Sequence, residues 1–182
     1  RLSPRTDYLV QGDRDCLIFI SVHEATDPQR QKRIGCVRTT DGGLSFNFVS
    51  WVTPNFDAAR AIMSQTIQVA DREFVCSFRK IASDDELDSI EAYRSQDGCR
   101  TWEPLSTVKI MPTHSNPPAL VKLRDGRLCC AYGDRHVAEI RARYSHDDGR
   151  SWGPELIIRD DFQALPDDPD SPRGLNADMG YV

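Results

Sequence analysis

Apolar and polar residues alternate along most of this 182-residue chain in short runs, each closed by a Gly- or Asp-bearing turn or by a polar loop. The last third is the clearest. "PALVKL" (Pro118 to Leu123) alternates after its prolines, "RDGR" makes an Asp-Gly hairpin turn, and "LCCAY" (Leu128 to Tyr132) follows as the partner strand. "AEIRARYS" (Ala138 to Ser145) alternates again, enters the turn "SHDDGRSW", and "WGPELIIR" leaves it. The pattern predicts four antiparallel strands in a meander. The middle third repeats it with "SQTIQVA", a turn at Asp71 to Glu73, "FVCSFRK", the loop "IASDDELD", "SIEAYRS", a second tight turn and "WEPLSTVKI". The first third does so with "DYLVQ", "GDRD", "CLIFISV", the loop "HEATDPQRQKR", "IGCVRTT", a third turn and "FNFVSWV". A helical period is suggested only at Asp57 to Ser64, "DAARAIMS", either a short helical turn or the approach to a strand.

The three tight turns, "TTDGGLSF", "SQDGCRTW" and "SHDDGRSW", place Asp41, Asp97 and Asp147 at intervals of 56 and 50 residues. One propeller blade of four short strands takes roughly 40–50 residues, so the repeat predicts an all-β propeller. The expected units are 5–54, 60–111 and 116–160, a single partial domain, with a further inner strand starting at 175–182.

Each turn residue has a structural task. Gly43 and Gly149 tolerate positive φ. The Asp carboxylate and the Ser or Thr two places before it accept backbone N–H bonds. Phe46, Trp102 and Trp152 close the turn with a ring that can bury between sheets. Cys99 stands where the second turn expects Gly, and Gly98 just before it would let the turn shift register.

Composition narrows the function. A net charge of −5 argues against nucleic acid as the main partner. No apolar run approaches the roughly 18 residues of a membrane span, and no leader pattern opens the chain, which begins without Met. The compartment stays open. The six cysteines show no C-x-x-C pair and no His at zinc spacing, so neither a metal nor a cofactor is expected. Four of them lie in apolar runs and read as reduced, packed thiols; Cys129 and Cys130, adjacent in a strand, point to opposite faces.

The turn pattern Ser/Thr-x-Asp-x-Gly-x-Ser/Thr-Trp/Phe resembles the Asp-box, or BNR repeat, of the sialidase superfamily, whose members are mostly six-bladed β-propellers. The phrases "SNPPALVKLRDGRLCCAYGDR" and "DMGYV" are also similar to segments of uncharacterised sialidase-like proteins, although Val182 stands where those relatives usually carry Pro. The resemblance covers all three units. It implies that Asp41, Asp97 and Asp147 are scaffold, lying away from the active site, and that a carbohydrate ligand is expected at the opposite rim.

That rim collects the starts of inner strands and the loops between second and third strands. It holds His114, Asn116, Asp134, Arg135 and His136 in the third unit, and Arg79, Lys80, Asp84, Asp85 and Asp88 in the second. Arg5, Asp7, His23 and Glu24 come from the first, and Asp178 and Tyr181 from the end. Arginines that grip a carboxylate, beside a carboxylic acid able to protonate a glycosidic oxygen, would suit an acidic sugar. The candidate acids are Asp85 and Asp88, and the candidate binding residues are Arg79, Arg135, Asn116, His114, Asp178 and Tyr181. The plain alternatives stand beside this: inter-blade ion pairs for the arginines, a solvated acidic loop for "SDDELD", a packing role for Tyr181. Three blades leave two apolar faces uncovered, so the chain is expected either as part of a longer propeller or as a homodimer closing six blades. The functional expectations are a sialidase-like glycoside hydrolase relative, a non-catalytic carbohydrate- or protein-binding module, or a truncated product without activity.

Overall fold

A computed structural model describes residues 2–23, 32–54, 59–82, 87–112 and 116–161, with side chains from Asp7 onward in the first strand. Among these residues there are twelve strands and no helix. The first sheet runs β1 (Leu2–Gly12), β2 (Asp15–Val22), β3 (Arg33–Thr39), β4 (Asn47–Trp51); the second β5 (Arg60–Ala70), β6 (Glu73–Ile81), β7 (Asp88–Ser95), β8 (Glu103–Met111); the third β9 (Ala119–Lys122), β10 (Leu128–Asp134), β11 (Glu139–Ser145), β12 (Leu156–Arg159). Every neighbour pair is antiparallel and consecutive in the chain, so each sheet is a four-stranded meander. The first strands β1, β5 and β9 pack side by side, which makes them the inner strands around a common axis and the sheets the blades of a propeller.

The helical alternative near Asp57 to Ser64 gives way to strand from Arg60 onward. Arg60 to Ile62 pair with Ile81 to Arg79, and the Ala61 N–H reaches the Lys32 carbonyl at 2.9 Å. These long-range bonds satisfy the backbone groups that a short helix would have left open. The inner strand expected at 175–182 lies outside the described residues.

Period-2 alternation gives each blade two faces, and the core lies between neighbouring blades, so that among the described residues only the second is covered on both. Leu17, Phe19, Ile34 and Cys36 of the first blade meet Phe74, Cys76, Phe78 and Tyr93 of the second. Val75, Ile90, Ala92 and Val108 of the second meet Leu120, Leu128, Cys130 and Tyr132 of the third. Cys130 is in this core while Cys129 is half-buried on the other face, as alternation requires, and all six thiols are free.

The Asp-box turns repeat bond for bond. In the first, Thr39 Oγ1 donates to Asp41 Oδ1 at 2.8 Å, the Gly43 N–H donates to Thr39 Oγ1 at 2.8 Å, and Asp41 accepts from the Leu44 and Ser45 N–H groups at 3.0 Å each. Ser95–Asp97–Thr101 and Ser145–Asp147–Ser151 do the same. At Asp41 the Ser45 hydroxyl and backbone bonds drive the pKa well below the carboxylate range. At Asp97 and Asp147 desolvation pushes upward, and the bonds from the following Thr101 or Ser151 outweigh it, leaving about 2.

The expected register shift in the second turn does not occur. Cys99 itself takes φ 68° and donates its N–H to Ser95 Oγ at 2.9 Å, the bond made by Gly43 and Gly149 in the other turns. Its side chain is wholly buried in the first core, so packing offsets the left-handed backbone cost of about 1–2 kcal/mol.

The closing aromatic stitches blades together. Trp102 Nε1 donates to Ser50 Oγ of the preceding blade at 3.2 Å, and Ser50 Oγ donates to the Cys99 carbonyl at 2.6 Å. Trp152, Ser106 and the Gly149 carbonyl repeat the arrangement at 3.0 and 2.5 Å. Phe46, whose blade has no predecessor among the described residues, is 50% exposed.

Candidate functional site

Antiparallel pairing puts the starts of β1, β5 and β9 and the ends of β2, β6 and β10 on one rim, opposite the Asp-boxes. The inner strand of the second blade breaks its pairing there. The register with β6 shifts between Ile62 and Gln65, and Met63 between them has φ 57°. A β-bulge of this kind turns side chains out of the regular ladder and is common beside functional sites.

Two neighbours hold the bulge. The Met63 N–H donates to Ser21 Oγ at 3.4 Å, and the buried Asp7 carboxylate on β1 accepts from the Thr66 N–H and from Gln65 Nε2, the latter at 3.0 Å. Burial pushes the Asp7 pKa up to about 6 against the lowering effect of the Thr66 bonds. Asp7 is thus a carboxyl whose protonated form is favoured by burial between two inner strands.

On the second blade, Arg79 lies opposite both Ile62 and Ile90, two residues before the end of β6. Alternation puts Arg79 and Asp88 on the face that carries Val75 and Ile90, toward the third blade. Both are buried, and Asp88 Oδ1 accepts the Ala82 N–H at 3.0 Å, closing the β6–β7 loop at its base.

The third blade answers from across the seam. Asn116, fully buried, donates its N–H to the Gly133 carbonyl at 3.0 Å, and its Oδ1 accepts from Arg135 Nε at 2.6 Å. Buried Asp134 accepts the His136 N–H at 3.1 Å and faces Lys109 Nζ at 3.9 Å. Arg79, Asp88, Asn116, Asp134 and Arg135 therefore lie at the same rim end of the second and third blades, all but Arg135 buried. His114, Asp84, Asp85, Asp178 and Tyr181 lie outside the described residues.

A tyrosine–glutamate pair is also present, two residues from Asp134 along β10 and linked to it through Lys109. Tyr132 donates to Glu155 Oε1 at 2.6 Å, and Glu155 is clamped by Lys109 at 2.8 Å and Arg141 at 3.0 Å. Tyr132 is wholly buried, and desolvation with the Glu155 bond drives its pKa far upward, so the phenol stays protonated and locks the blade seam. Among the described residues no group of three His, Cys, Asp or Glu could hold a metal.

The sequence marks Asp7 only as a rim residue of the first unit. Its burial comes from the packing of β1 on β5, a pairing across 58 positions that no local pattern announces. The Met63 bulge is not announced either, since "DAARAIMS" reads as a short helical turn or the approach to a strand.

Solved structures share the fold. The GH93 alpha-L-arabinofuranosidase of Fusarium graminearum with arabinobiose aligns over 89% of this chain and 50% of its own, at 21% identity and TM-score 0.69. The alpha-L-arabinanase of Penicillium chrysogenum complexed with arabinobiose aligns over 85% and 49%, at 19% identity and TM-score 0.70. The exo-beta-1,3-galactanase of Phanerochaete chrysosporium with beta-1,3-galactotriose aligns over 86% and 38%, at 9% identity and TM-score 0.66. The chain thus spans half or less of the length of these sugar-bound structures. No curated protein matches the sequence. The family model described as the BNR repeat-like domain matches residues 10–181. With three box turns built bond for bond alike and a family match across nearly its whole length, the chain belongs to the BNR repeat-like domain family.

Proposed function

We propose that the chain supplies one side of a carbohydrate-binding funnel of glycoside-hydrolase type, and that its ligand is an acidic sugar. What supports this reading is that strand order sets Arg79 and Asp88 of one blade at the same rim end as Asn116, Asp134 and Arg135 of the next. In this reading Arg79 and Arg135 grip the sugar carboxylate, and Asn116 aims the Arg135 fork through its 2.6 Å bond. Asp88 and Asp85 are the candidate proton donors to the glycosidic oxygen. In the same reading His114, Asp178 and Tyr181 are further candidate contacts to the sugar. The fold shared with glycosidases supports the reaction class.

A non-catalytic sugar-binding module is the second reading, favoured by the use of the Tyr132–Glu155 pair as a buried lock. Turnover separates the two. The protein is incubated with a fluorogenic sialoside, an unsaturated uronide and an aryl arabinofuranoside. Release from one of the acidic substrates, lost in Arg135→Ala, supports the first reading. Binding of a uronide without turnover, weakened in Arg135→Ala, supports the second. Release from the arabinofuranoside alone would overturn the acidic-sugar assignment.

The funnel needs further blades to close. Tyr8 and Val10 on β1 are 66% and 68% exposed, and Val121, Leu156 and Ile157 of the third blade are about half exposed. In our reading a second copy, related by a two-fold along the propeller axis, sets the third blade of each on the first blade of the other. Light scattering should then give twice the 20.6 kDa chain mass, and a monodisperse monomer would refute it.

A further inference from the structure

The Asp-box side of the molecule carries a cavity of about 220 Å³ between the first and second blades. Its walls are Gln11 at the end of β1, Gln68 near the end of β5, and the side chains of Arg38, Arg72, Arg100 and Asp71. The equivalent crevice between the second and third blades is bridged by a side chain. Register gives the reason, because Gln68 pairs with Phe74 and Lys122 with Leu128 at the same place in the repeat. Lys122 extends across its crevice and donates Nζ to the Val69 carbonyl, and Leu105 packs over Gly149 beside it. Gln68 is shorter and folds back onto the Ala70 carbonyl at 3.2 Å, so the first crevice stays open.

The open crevice is rich in donors. Arg72 is fixed by a 3.0 Å bond to the Asp97 carbonyl, and among the described residues the Arg100 guanidinium has no protein partner. Arg38 is matched by Asp15, and the Asp97 carboxylate is spent on its own turn. That leaves two guanidinium groups and two carboxamides facing Asp71, beside an Asp97 carboxylate that is ionised but already bonded within its turn. Guanidinium groups donate only, and their planar fork matches a carboxylate, so the crevice calls for an acceptor-rich ligand. Its volume is below the roughly 300–1,000 Å³ of sites for drug-sized molecules and suits one sugar ring or a chain end. We infer that this crevice is a second binding site, on the face away from the mouth, for a carboxylate-bearing sugar at the end or branch of a glycan.

The test uses digalacturonic acid as the acidic probe and arabinobiose as the neutral one, each titrated to about 10 mM, a concentration that detects the weak millimolar range. Side-chain amide signals of Gln11 and Gln68 in ¹⁵N-labelled protein report on this crevice and not on the mouth. Digalacturonic acid should shift both signals, and arabinobiose should shift neither. Gln68→Lys, which copies the chain's own Lys122, should keep the melting temperature and weaken the response at Gln11 at least tenfold; Arg100→Ala should weaken it severalfold. Unmoved signals, an equal response to arabinobiose, or an undiminished response in folded Gln68→Lys would each overturn the inference.

Discussion

Replacing Asp7 by Asn isolates the energetic consequence of burying an acid between two inner strands. Burial raises the Asp7 pKa from 3.8 to about 6, roughly two units. At about 1.36 kcal/mol per unit, the folded state prefers the protonated form by about 3 kcal/mol. A raised folded-state pKa contributes stability that is complete below pH 3.8 and has faded once the pH passes about 6. Asn is neutral throughout and keeps an oxygen for the Thr66 N–H, while the Gln65 amide can turn its own oxygen toward Asn Nδ2. Urea unfolding of both proteins at matched concentration, from about pH 4 to about pH 7, should show Asp7→Asn gaining on the parent by about 3 kcal/mol across the window. The box carboxylates do not interfere: the depressed pKa of Asp97 and Asp147 makes their contribution full above 3.8 and lost only toward about 2. A stability difference that stays flat, or that favours the parent as pH rises, would refute the reasoning.

Two further substitutions test the seams. Desolvation raises the Glu155 pKa and the Lys109 and Tyr132 bonds outweigh it, bringing it from 4.5 to about 2; its stabilisation is full above 4.5 and lost as pH falls through about 2. Glu155→Gln should therefore cost about 2–3 kcal/mol at neutral pH and progressively less toward pH 2, read by chemical denaturation. Gly149→Ala adds a Cβ 3.2 Å from Leu105 Cδ2 at φ +87°, whereas Gly126→Ala at φ +90° meets nothing within 4 Å. The second should cost about 1 kcal/mol for backbone alone and the first about 2 kcal/mol or more, and equal melting-temperature losses would remove the packing argument.

Much of the site was legible to the extent that its chemistry is local. Arg135 and Asn116 stand out as polar residues beside strand ends, and both come to one rim because strand order in a meander dictates which loops share it. Which groups lose water there was not legible. "RTDYLV" gives no hint that Asp7 is buried, and "YGDR" gives none that its tyrosine reaches Glu155, 23 positions on. Both depend on the neighbouring blade.

Alternation, Asp-Gly turns and the thrice-written box determine the strands, their order and the radial architecture, because these are encoded by contacts within a few residues and by a period the chain repeats. The tertiary structure alone decided that Cys99 holds a glycine's conformation, that Met63 bulges, and that Gln68 leaves open a crevice that Lys122 fills one blade later. Those outcomes follow from the fit of one sheet against the next, where a single side chain's length or burial changes the result and the repeat pattern does not register it.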